Sequence, residues 1–79
     1  MNVYLISQNV VTGYDTFDSA VVIAESEDAA RLIHPYGGVN ERADDVWSAP
    51  QDVEVWLLGK LNEHYQQNGA VICSSFNAG

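Results

Sequence analysis

Residues 17–35 decide the fold; they read FDSAVVIAESEDAARLIHP, and the spacing of their apolar side chains changes midway. The first part is rich in β-branched residues, which predicts a strand over residues 17–25. After it, Ser26 is a favourable N-cap residue, acidic side chains fill the first turn, and apolar side chains recur at helical spacing. This pattern predicts a helix over residues 27–34, which Pro35 terminates.

Three more strands are predicted on either side of this stretch. They cover residues 3–8, 53–58 and 70–76, where β-branched and aromatic residues dominate, and Gly13 marks a hairpin connection after the first strand. The order β-β-α-β-β predicts an α+β fold, a four-stranded, mainly antiparallel sheet with one short helix on one face. The expected core consists of Leu5, Val21, Ile23, Leu32, Ile33, Val55, Leu57 and Ile72. On this prediction Leu57→Ala costs about 2–5 kcal/mol.

The least regular part of the pattern is residues 36–52. A loop of this length in a small domain is commonly functional, and we expect Trp47 to anchor it. Trp56 is expected to be at least half buried against the sheet. The polar residues 60–67 indicate a short helical turn, and Asn68-Gly69 indicates a tight turn.

Composition and charge exclude several classes of protein. The chain has 79 residues and forms one domain, residues 1–79, with eleven acidic and three basic residues and a net charge of −8. This balance excludes direct binding to nucleic acid, which needs Lys and Arg against the phosphates, and binding to an anionic membrane. The longest apolar runs are too short to span a membrane, and no signal peptide is expected. The single cysteine, Cys73, is typical of the reducing cytosol, so a cytoplasmic location is expected.

No catalytic residue, metal site or cofactor is predicted, so we expect a protein that is not an enzyme. Cys73 is expected to be an inert packed thiol, His34 to cap the C-terminus of the helix, and His64 to lie in a polar loop. The acidic residues do not match the spacing of a calcium-binding loop, and Gly59-Lys60 lacks the spacing of a phosphate-binding loop.

The acidic residues are the remaining signal. One group lies around the first hairpin and the start of the helix, and the other lies within residues 41–54. Solubility alone explains part of this charge, but a surface for a basic partner accounts for its density. Asp44 and Asp45 are expected to be surface positions whose substitution leaves the fold intact, and the protein is expected to be a monomer. The candidate partner-binding residues are Asp15, Asp18, Glu25, Asp28, Glu41, Asp44, Asp45, Asp52 and Glu54.

Four segments carry a resemblance to a known family: residues 4–8, residues 13–22, residues 24–27 with His34-Pro35, and the ending CSSFNAG at residues 73–79. They resemble a family of small proteins encoded by phages and prophages, whereas residues 36–69 match it poorly. Within that family the chain is similar to anti-CRISPR proteins against a type I CRISPR–Cas system, of subtype I-C. The resemblance implies an inhibitor that binds a subunit of the effector complex in the bacterial host cell, and it carries over no active-site residue.

Charge and resemblance together predict a DNA mimic that occupies the DNA-binding site of the effector complex. A chain of this size is about 30 Å across, and DNA of that length carries about 18 phosphate charges. Eleven carboxylates can therefore imitate one face of the duplex. The alternative is a small acidic regulatory protein that neutralises another basic protein, either a nucleic-acid-binding protein or a toxin.

Overall fold

The computed structural model describes residues 1–62 and 69–77. The strands are β1 (Asn2–Ser7), β2 (Thr16–Ala24), β3 (Glu54–Lys60) and β4 (Val71–Asn77); the helix α1 covers Glu27–Arg31, and a 3-10 turn covers Pro50–Asp52. The strands form one sheet in the order β3-β1-β2-β4, and every neighbouring pair is antiparallel. The predicted α+β fold with the order β-β-α-β-β is confirmed, with each strand boundary within two residues of its prediction. No helix in these described ranges is long and apolar enough to cross a bilayer.

Helix α1 is short, and its start follows the sequence pattern. The Ser26 Oγ accepts a hydrogen bond from the Ala29 N–H at 3.1 Å, which confirms the predicted N-cap. Arg31 forms exposed ion pairs at 3.6 Å with both acidic residues of the first turn. Each such pair adds at most about 0.5 kcal/mol, so the helix is stabilised mainly by packing on the sheet.

Helix α1 ends before the predicted residue 34 because the chain after Arg31 forms a β-bridge in place of another helical turn. The helix ends at Arg31, and shortly afterwards Ile33 pairs with Val39 in an isolated β-bridge. Both glycines of the 37–38 turn have positive φ, 99° and 84°, so the turn that closes this bridge depends on glycine. The prediction that His34 caps the helix is therefore wrong, since His34 lies in this turn.

The core lies between one face of the sheet, α1 and the long loop. Alternate side chains of β1 and β2 point toward α1, and Trp47 of the loop is fully buried in the same core, which agrees with its predicted role as the anchor of the loop. The core consists of Tyr4, Ile6, Phe17, Ala20, Val22, Ala24, Ala30, Ile33, Trp47 and Val53. Trp56 is 47% exposed, so it meets the predicted half burial by a small margin, but it is an exposed side chain outside the core.

The predicted core is wrong at Leu32, Leu57 and Ile72, which are all exposed; Leu57 is 58% exposed. The central strands carry apolar residues on both faces, so their sequence does not indicate which face the helix covers. A five-residue helix also leaves most of both edge strands uncovered. Of the remaining predicted core residues, Ile23 and Ile33 are buried, and three are half-buried: Leu5, Val21 and Val55.

Three further predictions concern the region between β3 and β4, and a fourth concerns Cys73 of β4. The helical turn at 60–67, the turn at Asn68-Gly69 and the position of His64 fall wholly or partly on residues 63–68, outside the described residues. The prediction for Cys73 is wrong: its thiol is exposed, because β4 lies at the edge of the sheet.

Candidate functional site

The antiparallel register brings distant parts of the chain to the same end of the sheet. Ser7 of β1 lies opposite both Ser19 of β2 and Glu54 of β3, and Thr16 of β2 lies opposite Asn77 of β4. The hairpin after β1, the start of β3 and the end of β4 therefore meet there. The nine residues of β2 separate this end from the other by about 26 Å, at about 3.3 Å per residue.

Two acidic residues, Asp15 and Asp18, lie on the hairpin at this end. Asp15 adopts a left-handed conformation, with φ of 62°, that Asp tolerates better than most residues, and its N–H donates to the Asn77 carbonyl. Asp18 is the extra residue of a β-bulge and is exposed, and its Oδ2 accepts a hydrogen bond from the Ser75 hydroxyl at 3.4 Å. Both carboxylates therefore lie beside the end of β4.

The buried side chain of Gln8 fixes the hairpin that carries these carboxylates. Its Nε2 donates to the Val11 and Phe17 carbonyls at 2.7 and 2.8 Å, and its Oε1 accepts from the N–H groups of Val10 and Val11 at 3.0 and 2.8 Å. The Gln8 side chain thus hydrogen-bonds to the hairpin backbone through both its nitrogen and its oxygen, and these bonds add to the strand pairing that holds the hairpin. Sequence reasoning missed Gln8, since a glutamine that follows a strand carries no distinguishing pattern.

Asp44 anchors the long loop at the same end. Its Oδ1 accepts hydrogen bonds from the Val46 and Trp47 N–H groups, both at 2.9 Å, and its Oδ2 lies 2.8 Å from the His34 Nε2. The His34 Nδ1 accepts from the Tyr36 N–H at 3.1 Å, so a neutral His34 carries its proton on Nε2 and donates it to Asp44. Asp44 is exposed, as expected, but these three hydrogen bonds hold its carboxylate in place.

These contacts set the pKa of Asp44. Partial burial acts to raise the pKa of the carboxyl, but hydrogen bonds from the Val46 N–H, the His34 side chain and the Trp47 N–H, together with the charge of His34, lower it below its ordinary value of 3.8. The net direction is downward because three donors converge on one carboxylate that remains half exposed.

An aromatic cluster connects the loop to the hairpin. The ring of Phe17 packs edge-on against Tyr36 and Phe76, with centroid distances of 4.9 and 4.8 Å, and Tyr36 stacks on His34 at 5.8 Å. The Phe17 N–H also donates to the Val46 carbonyl at 3.0 Å. Asp44 and its neighbour Asp45 therefore lie close to the hairpin. Tyr36 is 69% exposed on the outer side of this cluster.

The other side of the same end carries Asp52 and Glu54. Both line a shallow pocket together with Ser7 and the two residues that follow it. Glu54 lies two strands from β2, about 10 Å at the usual strand spacing. We call the carboxylates gathered here the acidic end, which consists of Asp15, Asp18, Asp44, Asp45, Asp52 and Glu54.

The other three predicted partner-binding residues do not join the acidic end. Glu25 follows β2 at the opposite end of the sheet, and Asp28 lies in the first turn of α1, paired with Arg31. Glu41 is exposed in the loop, next to Asn40, whose N–H bonds to a carbonyl just after α1. The acidic residues are therefore concentrated at one end and scattered elsewhere.

Basic residues do little to neutralise the acidic end. Lys60 lies at the opposite end of the sheet, and Arg31 is held by its ion pairs and by a 3.3 Å hydrogen bond to the Val53 carbonyl. Arg42 shares the loop with Asp44 and Asp45. Within the described residues, Arg42 is therefore the one Lys or Arg near these six carboxylates that forms no ion pair.

The acidic end was also searched for side chains that could bind a metal ion. Within residues 1–62 and 69–77, no three side chains of His, Cys, Asp or Glu lie close enough together to share a metal ion. What the acidic end offers is a dense negative charge beside exposed tyrosines, which suits the binding of a basic surface. Comparison of the chain with models of protein families, with curated proteins and with solved structures finds no match in any of the three.

Proposed function

We propose that this protein is an anti-CRISPR inhibitor that binds a type I CRISPR–Cas effector complex through its acidic end and competes with target DNA. The observation that carries the proposal is the convergence of six carboxylates, from three separate parts of the chain, on one end of the sheet. The resemblance to small phage-encoded proteins supports the choice of target. The proposal includes action by binding alone, without catalysis, in the cytoplasm of the bacterial host.

The dimensions of the acidic end support imitation of one DNA strand. Four strands at about 4.8 Å spacing make this end about 14 Å wide between its outermost strands. A single DNA strand carries one phosphate per about 3.4 Å, which is about four phosphates over this width. Six carboxylates match or exceed that charge but fall short of the charge of a duplex. A groove of the complex that follows one phosphate backbone is therefore the expected binding site.

The exposed tyrosines supply contacts that charge alone does not. Tyr14 on the hairpin is 77% exposed, and Tyr36 lies on the aromatic cluster beside Asp44. Tyrosine and arginine are among the residue types that most often dominate binding energy at protein interfaces, and an arginine stacks well on a tyrosine ring. A basic groove rich in arginine would therefore contact carboxylates and rings together.

A DNA-binding assay with the purified effector complex tests the proposal. The complex is incubated with target DNA, with and without this protein, at a low and a high salt concentration. We expect the wild-type protein to block DNA binding, and to do so less well at high salt because salt screens the attraction. The double variant Asp15→Asn with Asp18→Asn should inhibit about tenfold less well.

A matched control separates position from total charge. The double variant Asp28→Asn with Glu41→Gln also removes two negative charges, but from exposed positions that are not part of the acidic end. We expect it to inhibit nearly as well as the wild type. Equal loss of inhibition in both double variants would show that only net charge matters, and would contradict a site at the acidic end.

Two other results would redirect the proposal. If DNA still binds normally while this protein saturates the complex, DNA mimicry is wrong and inhibition acts at a later step, such as nuclease recruitment. If the protein does not bind the complex at all, the alternative of a regulatory protein for another basic target takes its place. A pull-down from host lysate would then identify that target.

A further inference from the structure

The ring of His34 connects two parts of the chain, one through each of its nitrogens. Its Nε2 lies 2.8 Å from the Oδ2 of Asp44 in the loop, and its Nδ1 accepts a hydrogen bond from the Tyr36 N–H at 3.1 Å. A neutral imidazole has one donor and one acceptor, so these two contacts use its full hydrogen-bonding capacity. The side chain is 11% exposed, which leaves little room for water to replace either partner.

Protonation of His34 is incompatible with one of these two contacts. An imidazolium carries a proton on each nitrogen and accepts no hydrogen bond. The Nδ1–H would then point at the Tyr36 N–H, and two donors cannot bond to each other. The contact with Asp44 instead becomes a charge-assisted hydrogen bond and strengthens. Protonation therefore breaks the bond from Tyr36 and keeps the bond to the loop.

His34 is the group in this cluster whose charge is expected to change near neutral pH. The charged and titratable side chains that contact its ring are the Asp44 carboxylate and the Tyr36 phenol. Despite partial burial, the hydrogen bonds that Asp44 accepts hold its pKa below 3.8, so it stays ionised between pH 5 and 8, where histidine commonly titrates. Among the described residues, no other charged side chain of α1, the hairpin or the loop forms an ion pair with His34; these include Arg31, Arg42 and Asp45.

The turn at residues 35–38 can rearrange when the bond from Tyr36 is lost. Besides that bond, the Gly37 N–H donates to the His34 carbonyl at 2.7 Å, and the His34 N–H donates to the Gly38 carbonyl at 3.0 Å. Neither glycine has a neighbouring atom within 4 Å of the place where a Cβ would lie, so no side chain blocks a change in the backbone there.

We propose that His34 and the turn at residues 35–38 form a pH switch, in which protonation of His34 releases the Tyr36 N–H and shifts the turn while Asp44 keeps the loop in place. The Tyr36 ring stacks on His34 and is 69% exposed beside the acidic end. The switch therefore changes the surface that the molecule presents there. This inference is independent of the proposed function.

NMR of the isotopically labelled protein between pH 8 and pH 5 tests the switch. At pH 8 the ring nitrogens of His34 should show the tautomer that is protonated on Nε2. As the pH falls, the protection of the Tyr36 amide against hydrogen exchange should decrease about tenfold, with the same midpoint as the titration of the His34 ring. The amides of Val46 and Trp47, which bond to Asp44, should keep their protection.

Two substitutions separate the two hydrogen bonds of the ring. His34→Asn supplies an oxygen that does not titrate, and asparagine readily accepts a hydrogen bond from the N–H two residues later. We expect this variant to protect the Tyr36 amide equally at pH 8 and pH 5. His34→Gln supplies a longer amide that can reach Asp44 in place of Nε2 but leaves the Tyr36 N–H without its acceptor. We expect it to leave the Tyr36 amide unprotected at both pH values.

Three results would overturn the proposal. The first is a Tyr36 amide that stays protected while the His34 ring titrates, and the second is a ring that is protonated on Nδ1 at pH 8. The third is a loss of Tyr36 protection in acid that persists in His34→Asn, because this variant retains His64, the other histidine of the chain. If a variant folds poorly, the wild-type titration alone decides between the expected result and the first two.

Discussion

At the scale of single residues, neighbouring carboxylates at the acidic end have different roles. Asp44 accepts hydrogen bonds from two backbone N–H groups and from His34, whereas Asp45 is exposed. One of those N–H groups belongs to Trp47, the fully buried residue that anchors the loop. Identical residue types at adjacent positions therefore differ in role, because Asp44 holds the loop and Asp45 is exposed to solvent.

The first prediction compares these two residues. We expect Asp44→Ala to lower the free energy of unfolding by about 2–3 kcal/mol, because it leaves the Trp47 N–H and His34 without their acceptor. Asp45→Ala should change it by less than about 0.5 kcal/mol. Urea denaturation followed by tryptophan fluorescence measures both. Equal effects of the two substitutions would contradict the anchoring role of Asp44.

The second prediction concerns the pH dependence of the same residue. The folded protein lowers the pKa of Asp44 below 3.8, so ionised Asp44 stabilises the fold above that pH. This contribution is lost as the pH falls from 3.8 through the lower pKa of the folded state. The difference in unfolding free energy between wild type and Asp44→Ala should therefore be fully present at about pH 5 and shrink as the pH drops below 3.8. A difference that stays constant, or grows, in acid would show that the charge of Asp44 contributes nothing.

At the scale of elements, the face of the sheet that α1 covers determines which substitutions lower the free energy of unfolding. Ile6 is fully buried on that face, whereas Leu57 is mostly exposed on an edge strand. We expect Ile6→Ala to cost about 2–5 kcal/mol, and Leu57→Ala to cost less than about 1 kcal/mol. Thermal or urea unfolding of the two variants checks this. A Leu57→Ala variant as unstable as Ile6→Ala would mean that the edge of β3 is covered after all.

The elements themselves were predictable because each is encoded locally. The N-cap at Ser26 and the change of apolar spacing mark where β2 ends and α1 begins, and Trp47 is the largest apolar side chain in the loop at 36–52. The face covered by the helix was not predictable, because β1 and β2 are apolar on both sides. The early end of α1 depends on the β-bridge between Ile33 and Val39, which lie on either side of the glycine turn. No local sequence pattern specifies this bridge.

The candidate site was predictable only in its residue types. Composition identified the carboxylates, but their convergence depends on β1 lying between β2 and β3 and on the register that places Glu54 near the hairpin. Asp18 and Glu54 are 36 positions apart in the chain, so their proximity is a property of the sheet. The same register separates Glu25 from them by the length of β2.

At the scale of the whole molecule, the clustering of carboxylates at the acidic end should lower the stability of the fold. Six carboxylates at one end repel one another, and a net charge of −8 gives no compensation from the rest of the surface. Sites shaped for function commonly reduce stability, and removing their charges commonly restores it. The same charges that weaken the fold would then provide the attraction for a basic partner.

The last prediction uses salt to test whether repulsion among these carboxylates destabilises the fold. At low ionic strength, the double variant Asp15→Asn with Asp18→Asn should unfold at the same temperature as the wild type or a few degrees higher. Asparagine tolerates the left-handed conformation of residue 15, and the loss of two charges reduces the repulsion among the carboxylates. Added salt should stabilise the wild type more than this variant, since less repulsion remains to be screened. The control Asp28→Asn with Glu41→Gln removes as much charge but disrupts an ion pair of α1 and should respond to salt much like the wild type. If the hairpin variant instead unfolds at a clearly lower temperature, Asp15 and Asp18 stabilise the fold. Their loss of inhibition could then no longer be assigned to a binding surface.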